Sequence, residues 1–596
     1  MKRFSLISVK GQEFTKAVMD VALGKENADL AIVNATLMNV YTGEYQEHCA
    51  VAVKGEWIAY VGDDPEPSIG PETKIIDARE KVLAPGLIDG HSHLADYQYN
   101  PTEFLRHAMT GGTTTIITET IEPYPVLGCK GIEEFLDALA DQPIRIFGTV
   151  PPMASTSKEV HGISSDALER LLAREDVLGL GESYWQAVLL ETEKFLPIFE
   201  KTLQSGKQLE GHSAGAKGRK LMAYLSPGIS SCHEPINGEE ALERLRLGIR
   251  VMVREGGMRR DLAAISKLKD QGIDLRGLIL VTDGVLGQDL MDTGYMEDVV
   301  KKAIECGFDP MTAIQMATIN GAEYFRLDGI LGGIAPGKYA DMILLPDPHT
   351  IKAEWVISKG KMIARQGELL VPPRDHIFSA ESLNSVHLKR DIIPSDFAIP
   401  VENDSGEISV RVIDQVTELV TREFITSVPV QGGAIGQDVP RDILKVAAID
   451  RRFSPGKKFV GLIRGFKLGR GALASSGAWD TSNIIVVGEN DDDMAGAVNR
   501  IHELQGGAVL YAEGRVLVEI PLPLFGLMSD LPLPELVTKT DALAKEMKGL
   551  GFPFDEPLRP LMTLTGAAIP FLRISEEGLI DIKTGEILDL FVKTTR

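Results

Sequence analysis

VLAPGLIDGHSH, residues 82–93, decides how this chain is read. It is an almost unbroken apolar run that ends in two histidines one residue apart. Successive side chains of a strand alternate faces, so His91 and His93 point to one side and can bind one metal together. A strand apolar on both faces is covered on both faces, which is the signature of a parallel sheet. Seven more runs of this kind follow: TTTIITE (113–119), IRIFGTVPP (144–152), VLGLGES (177–183), QLEGHSA (208–214), GISSCHE (228–234), RVMVREGG (250–257) and GLILVTDG (277–284). Amphipathic stretches such as SDALERLLARED and GEEALERLRLG separate them. Eight strand–helix units close into a barrel, so the spacing predicts an α/β chain with a (β/α)8 TIM-like barrel over residues 81–334.

The flanks differ from the barrel. Short alternating strands at 28–80 (ADLAIVNATLMNV, CAVAVKGEWIAYVG, KIIDA) and β character at LGGIAPGKYADMILLPD and AEWVISKGKMIARQG predict one small β-sandwich domain, composed of residues 1–80 and 335–384. YMEDVVKKAIECG and DPMTAIQMATINGAEYF read as helices. Residues 385–596 read as a separate C-terminal α/β domain, clearest in NIIVVGENDDDMAGAVNRIHELQGGAVLYAEGRVLVEIPLP.

The chemistry-bearing residues sit at the C-terminal ends of the barrel strands, where barrel enzymes hold their active sites. Only 11 histidines occur in 596 residues, and four of them end barrel strands: His91, His93, His212 and His233. Glu182 ends the fourth strand between the two histidine pairs, placed to bridge two metals. Asp283 ends the eighth beside the first. Two divalent cations sharing one water would lower its pKa from ~15.7 toward ~7, and Asp283 would shuttle the released proton. Glu119, Glu122 and Glu234 are further candidate proton donors. Glu234 follows His233 directly and faces inward only if the strand stops there. Arg254 and Glu255 end the seventh strand as candidate substrate contacts, with a structural ion pair as the competing reading for both.

Composition bounds the alternatives. A net charge of −23 argues against nucleic acid, which needs clustered Lys and Arg. No apolar window is long enough for a membrane span. Four scattered cysteines without CxxC predict reduced thiols, and with no signal-like N-terminus the expected location is cytoplasmic. There is no Walker A, no G-x-S-x-G and no H-x-E with P-C-x-x-C, and GGAIG (432–436) lacks the context of a dinucleotide fingerprint.

Together these motifs resemble the amidohydrolase superfamily, and within it the bacterial adenine deaminase family. The resemblance runs nearly the full length, through APGLIDGHSH, GGTTTIITE, EGHSAG, SCHEPINGEEALERLRLG, VREGG and DPMTAIQMATINGA to KLGRGALASSGAWDTSNIIVVGENDDDMAGAVNR and LPLFGLMSDLP. It implies His91, His93, Glu182, His212, His233 and Asp283 as the metal-site pattern, with a glutamate as the bridging ligand. It implies deamination of adenine to hypoxanthine and ammonia. The expected cofactors are two divalent metal ions, Mn2+ or Fe2+ ahead of Zn2+. The expected partners are a small heterocyclic substrate and a second copy of the chain in a homo-oligomer, a dimer first.

The chain departs from the family at four places. HSHLADY stands for the usual HIESS, and Thr118–Glu122 lacks the histidine of DPHE. Asp283–Gly284 replaces paired aspartates, and Ala478–Asn483 replaces AHDSHN, which makes Trp479 a candidate substrate contact. Retained ligands with an altered pocket leave a second enzymatic reading, hydrolysis of another aminopurine or a cyclic amide. A non-catalytic barrel scaffold is the third.

Overall fold

The computed structural model describes residues 4–402, 405–569 and 571–592. Its centre is a ring of eight parallel strands: β1 (Leu87–Ser92), β2 (Thr113–Thr118), β3 (Arg145–Val150), β4 (Val177–Tyr184), β5 (Gln208–His212), β6 (Ser231–Cys232), β7 (Arg250–Arg254) and β8 (Leu278–Val281). β1 to β5 pair in order as one arc, and β6 to β8 as another. Two seams close the ring. At one, Ser230 N–H donates to the Leu209 carbonyl at 3.0 Å; at the other, Asp283 N–H donates to the His91 carbonyl at 3.0 Å.

The second seam carries a polar clasp. Asp89 is fully buried on β1. Its carboxylate accepts His91 N–H at 3.1 Å, Thr282 N–H at 3.3 Å, the Thr282 hydroxyl at 2.6 Å and the Tyr295 hydroxyl at 2.5 Å. Backbone that would be orphaned at the meeting of β8 and β1 is satisfied here, which fixes the chain at His91 and beside Asp283.

Helices fill the connections where the amphipathic stretches predict them. Ser165–Leu172 starts at Ser164, whose side chain accepts Ala167 N–H, and Gly238–Arg246 starts at Asn237, which accepts Glu240 N–H. After β8 come Met296–Glu305, Pro310–Met316 and Ile319–Tyr324. The stretch expected as one helix over 309–325 is therefore two, divided at Ala317 and Thr318.

Strands from 30–85 and 342–369 join in one nine-stranded sheet. Val82–Pro85 runs antiparallel to Met342–Leu345, which links the two sequence segments. Ile32, Val51, Val53, Ile58, Leu83, Met342 and Leu344 share one apolar core inside it. The helix Leu6–Ala22, with Ser5 and Ser8 capping each other and a break at Gly11, precedes this sheet and was not expected from the sequence. The C-terminal part builds a ten-stranded sheet between Ile399 and Pro521, with helix Asp491–Leu504 packed on it through Met494, Val498 and Ile501. Its long hairpin, Ser405–Gln415 with Thr421–Gln431, points its tip at the barrel mouth. The tip is tied down there: Glu418 pairs with Arg559 at 2.9 Å, and Arg559 donates to the Gly257 carbonyl at 2.9 Å.

Candidate metal centre and substrate cavity

The strand ends bring six predicted ligands to one point. Glu182 Oε1 lies 3.4 Å from His91 Nε2, 3.3 Å from His93 Nε2 and 3.1 Å from His233 Nε2, and Glu182 Oε2 lies 3.0 Å from His212 Nδ1. Asp283 Oδ1 lies 3.3 Å from His91 Nε2 and 3.4 Å from His93 Nε2. The rings of His91 and His233 stack with centroids 4.1 Å apart. His91 Nε2 is sealed from solvent and has no hydrogen-bond partner. Two ligands each ~2.1 Å from one ion stand ~3.0–3.4 Å apart. The spacing of these donors therefore suits shared divalent cations, and the orphaned imidazole nitrogen is what a cation would satisfy. Glu182 touches all four histidines.

Asp283 sits in left-handed backbone, φ 58°, a conformation unfavourable for most side chains but tolerated by aspartate. Arg254 donates to its other oxygen at 3.3 Å and to Asp261 at 2.9 Å. Arg254 thus has the structural ion pair and also lines the cavity. Glu234 faces inward because β6 ends at Cys232. Its Oε1 lies 2.9 Å from His233 Nε2 and 3.6 Å from His212 Nδ1, while Oε2 accepts Ser213 N–H. Glu122 receives His93 Nδ1 at 2.5 Å.

Two sequence expectations are corrected. Glu119 does not face the cavity; it is buried behind His91, 3.9 Å from Nδ1, and accepts Glu182 N–H at 3.2 Å. Glu255 turns away from the site altogether. Its carboxylate accepts Leu262 N–H at 3.3 Å and lies 3.7 Å from Lys302; a β-bridge to Arg260 keeps residue 255 extended past the end of β7, so it points opposite to Arg254.

A cavity of about 280 Å³ opens over the ligands. Ile121, Met258, Leu419, Val420, Trp479, Ala568 and Ile569 supply an apolar wall, and Asp96, Glu122, Tyr184, Glu234, Arg254, Arg259 and Asp480 supply polar groups. Trp479 is thus at the cavity, donating its indole N–H to Asp96 at 2.7 Å. Asp480, also in left-handed backbone, accepts the Tyr184 hydroxyl at 3.0 Å and Ala567 N–H at 2.8 Å. Sequence reasoning missed Asp96, Tyr184, Glu210 and Asp480. The departures HSHLADY and AWDTSN contain two of them, and the glutamate of QLEGHSA faces His91 Nδ1 at 3.8 Å.

Burial sets the charge states around the centre. It pushes the Glu119 carboxyl up to about 8, with Glu210 adding to the effect, and the Asp96 carboxyl up to about 7, with Glu122 adding. Burial also lifts Asp480 to about 7. It works in the same direction on Glu182 and Asp283, yet both stay well below the usual carboxylate range because the facing histidines outweigh it.

The amidohydrolase family matches residues 82–366, and the adenine deaminase C-terminal domain matches residues 418–586. An adenine deaminase of Moorella thermoacetica is 36% identical over 97% of this chain and 98% of its own. One of Clostridium botulinum (strain 657 / Type Ba4) is 33% identical over 98% of each. The chain belongs to the adenine deaminase family. A third relative, adenine deaminase 3 of Rhizobium meliloti, is 35% identical over 98% of this chain and 99% of its own. A Cβ at Gly284 would stand 2.0 Å from the Tyr97 ring. The tyrosine of HSHLADY therefore occupies the space that a second aspartate after Asp283 would need.

Proposed function

We propose that this protein deaminates adenine to hypoxanthine and ammonia, with two divalent cations, Mn2+ or Fe2+, held by His91, His93, Glu182, His212, His233 and Asp283. The observation that carries the reading is the contact of one carboxylate, Glu182, with four histidines beneath a partly apolar cavity. When bound, the cations supply Lewis acidity that brings the pKa of water from ~15.7 toward ~7.

The chain's own groups do the rest. Asp283 takes the proton of the attacking water and delivers it to the exocyclic amine. The water oxygen bonds to C6, the C6–N6 bond breaks, and ammonia leaves. Arg254 holds Asp283 Oδ2 and so fixes the aim of Oδ1. Glu234 exchanges a proton with the adjacent ring nitrogen; the Ser213 N–H and the imidazoles of His212 and His233 hold it in the lining. The apolar wall with Trp479 receives a flat ring and keeps bulk water out. The lining is richer in carboxylates than in cations, and Arg254 is already committed to Asp261, so a neutral base suits it better than a phosphorylated one. A cytoplasmic homodimer is the accompanying expectation.

Ile121, Asp96 and Trp479 all line the cavity within stretches that depart from the family pattern, which favours a second reading, another aminopurine or a cyclic amide. Protein stripped of metal and reloaded with Mn2+ or Fe2+ separates the two in a panel of adenine, other aminopurines and lactams. Conversion of adenine to hypoxanthine only after reloading is expected. Inert adenine beside turnover of another ring would overturn the first reading.

A further inference from the structure

Two acidic side chains in the cavity keep an oxygen that no described residue satisfies. Glu122 gives Oε1 to His93, and its Oε2 is buried without a partner. Asp96 gives Oδ1 to the Trp479 indole N–H, and its Oδ2 accepts no hydrogen bond from any described residue. Asp96 is only 7% exposed. Glu122 Oε2 is sealed from solvent, whereas Asp96 Oδ2 is not, and Asp96 lines the cavity, so its second oxygen is free to meet a donor that enters there. Glu122 is tied to a metal ligand; Asp96 is not hydrogen-bonded to one through its side chain.

The surroundings hold Asp96 still. The Tyr97 hydroxyl donates to the Asp283 carbonyl at 3.1 Å, and the Tyr99 hydroxyl donates to the Val285 carbonyl at 2.8 Å, so the loop after β1 is fastened to the loop after β8. Trp479 is fastened too: its backbone N–H donates to the Met562 carbonyl at 3.0 Å, and its backbone carbonyl accepts the Thr565 hydroxyl at 2.6 Å. An anchored carboxylate, one oxygen taken by an indole that also lines the cavity, presents its second oxygen in a set direction.

The geometry points to Asp96 as a specificity-determining residue, whose Oδ2 accepts a hydrogen bond from a ring N–H of the heterocycle seated against Trp479. The inference rests on the reading of the cavity as a purine-base site and names what that site selects: a free base that keeps its ring N–H on this edge. An N-alkylated ring offers no donor there and adds bulk against a buried carboxylate. Sites that hydrogen-bond one such group reject analogues lacking it by large factors, ~10²-fold or more.

Asp96→Asn tests this while sparing the strut. The amide oxygen still accepts from Trp479, whereas the other position becomes an NH2 donor. Binding by calorimetry and kcat/KM are measured for adenine and its 3-, 7- and 9-methyl derivatives, on Mn2+-loaded wild type and variant, with metal content alongside. For the wild type, methylation at one ring nitrogen is expected to weaken binding ~10²-fold or more. In Asp96→Asn that same methylation should cost no more than a few fold, the change should fall on KM rather than kcat, and metal content should be unchanged. Equal losses for adenine and every derivative, or loss of metal, would overturn the inference and leave Asp96 as a strut. If the wild type neither binds nor deaminates adenine, the adenine reading itself fails and this inference with it. That outcome is distinguishable from the previous one, in which the wild type still turns adenine over.

Discussion

Glu182 is the side chain on which the centre converges. Gln at this position keeps the shape and removes the charge, and it turns an NH2 toward imidazole nitrogens 3.0–3.4 Å away. Glu182→Gln is expected to bind about one metal equivalent or fewer and to lose ~10²-fold or more in turnover, with elemental analysis and adenine absorbance as the measurements. Glu297 offers a prediction away from the centre. Its Oε2 is sealed from solvent without a partner, and burial pushes its carboxyl up to about 7 from an ordinary 4.5. The folded protein then holds a proton that the unfolded chain releases between pH 4.5 and about 7. Stability falls as pH rises through that window and levels off above it. Glu297→Gln should flatten the slope and gain on the order of 3 kcal/mol above pH 7, read from urea midpoints against pH. An unchanged slope would refute the assignment. The residues legible in the sequence were those with a scarce side chain at a strand end, histidines above all. Asp96, Tyr184 and Asp480 were illegible because their role arises from contacts across the fold, Asp96 to 479 and Tyr184 to 480.

At the scale of elements, the barrel depends on how β8 meets β1. Asp89 collects four donors there, so losing it orphans buried groups on both strands at once. Tyr295→Phe should cost about 1–2 kcal/mol, and Asp89→Ala about 3–5 kcal/mol with weakened metal retention, by denaturant unfolding and metal analysis. Equal effects of the two would mean that Tyr295 alone holds the seam. Strand order was readable because apolar runs and amphipathic helices alternate with two different periods. The break at Thr318 was not, since no glycine or proline stands between Met311 and Thr318. The inward turn of Glu234 was open for a related reason: β6 lasts two residues, and alternation says nothing once the strand has ended. The helix before the first sheet was illegible because Gly11 interrupts its period and its apolar residues do not form one buried face, with only Leu6, Val18 and Val21 of that type buried.

For the whole molecule, the six ligand candidates lie between residues 91 and 283, whereas Leu419, Trp479, Ala568 and Ile569 of the wall lie in the C-terminal part. The sequence made three regions visible by their change of pattern. It did not show that the third reaches over the first, because Trp479 and the hairpin tip meet the barrel only through tertiary contacts. This wall has a consequence for metal escape. Trp479 and its apolar neighbours stand over the ligand candidates, so the rate of stripping and the strength of binding are expected to be set by different parts of the chain. Trp479→Gly should let a chelator empty the centre several times faster while the equilibrium metal affinity stays within about twofold, since no ligand is touched. Equal stripping rates would mean that the rim is no barrier and that retention belongs to the ligands alone.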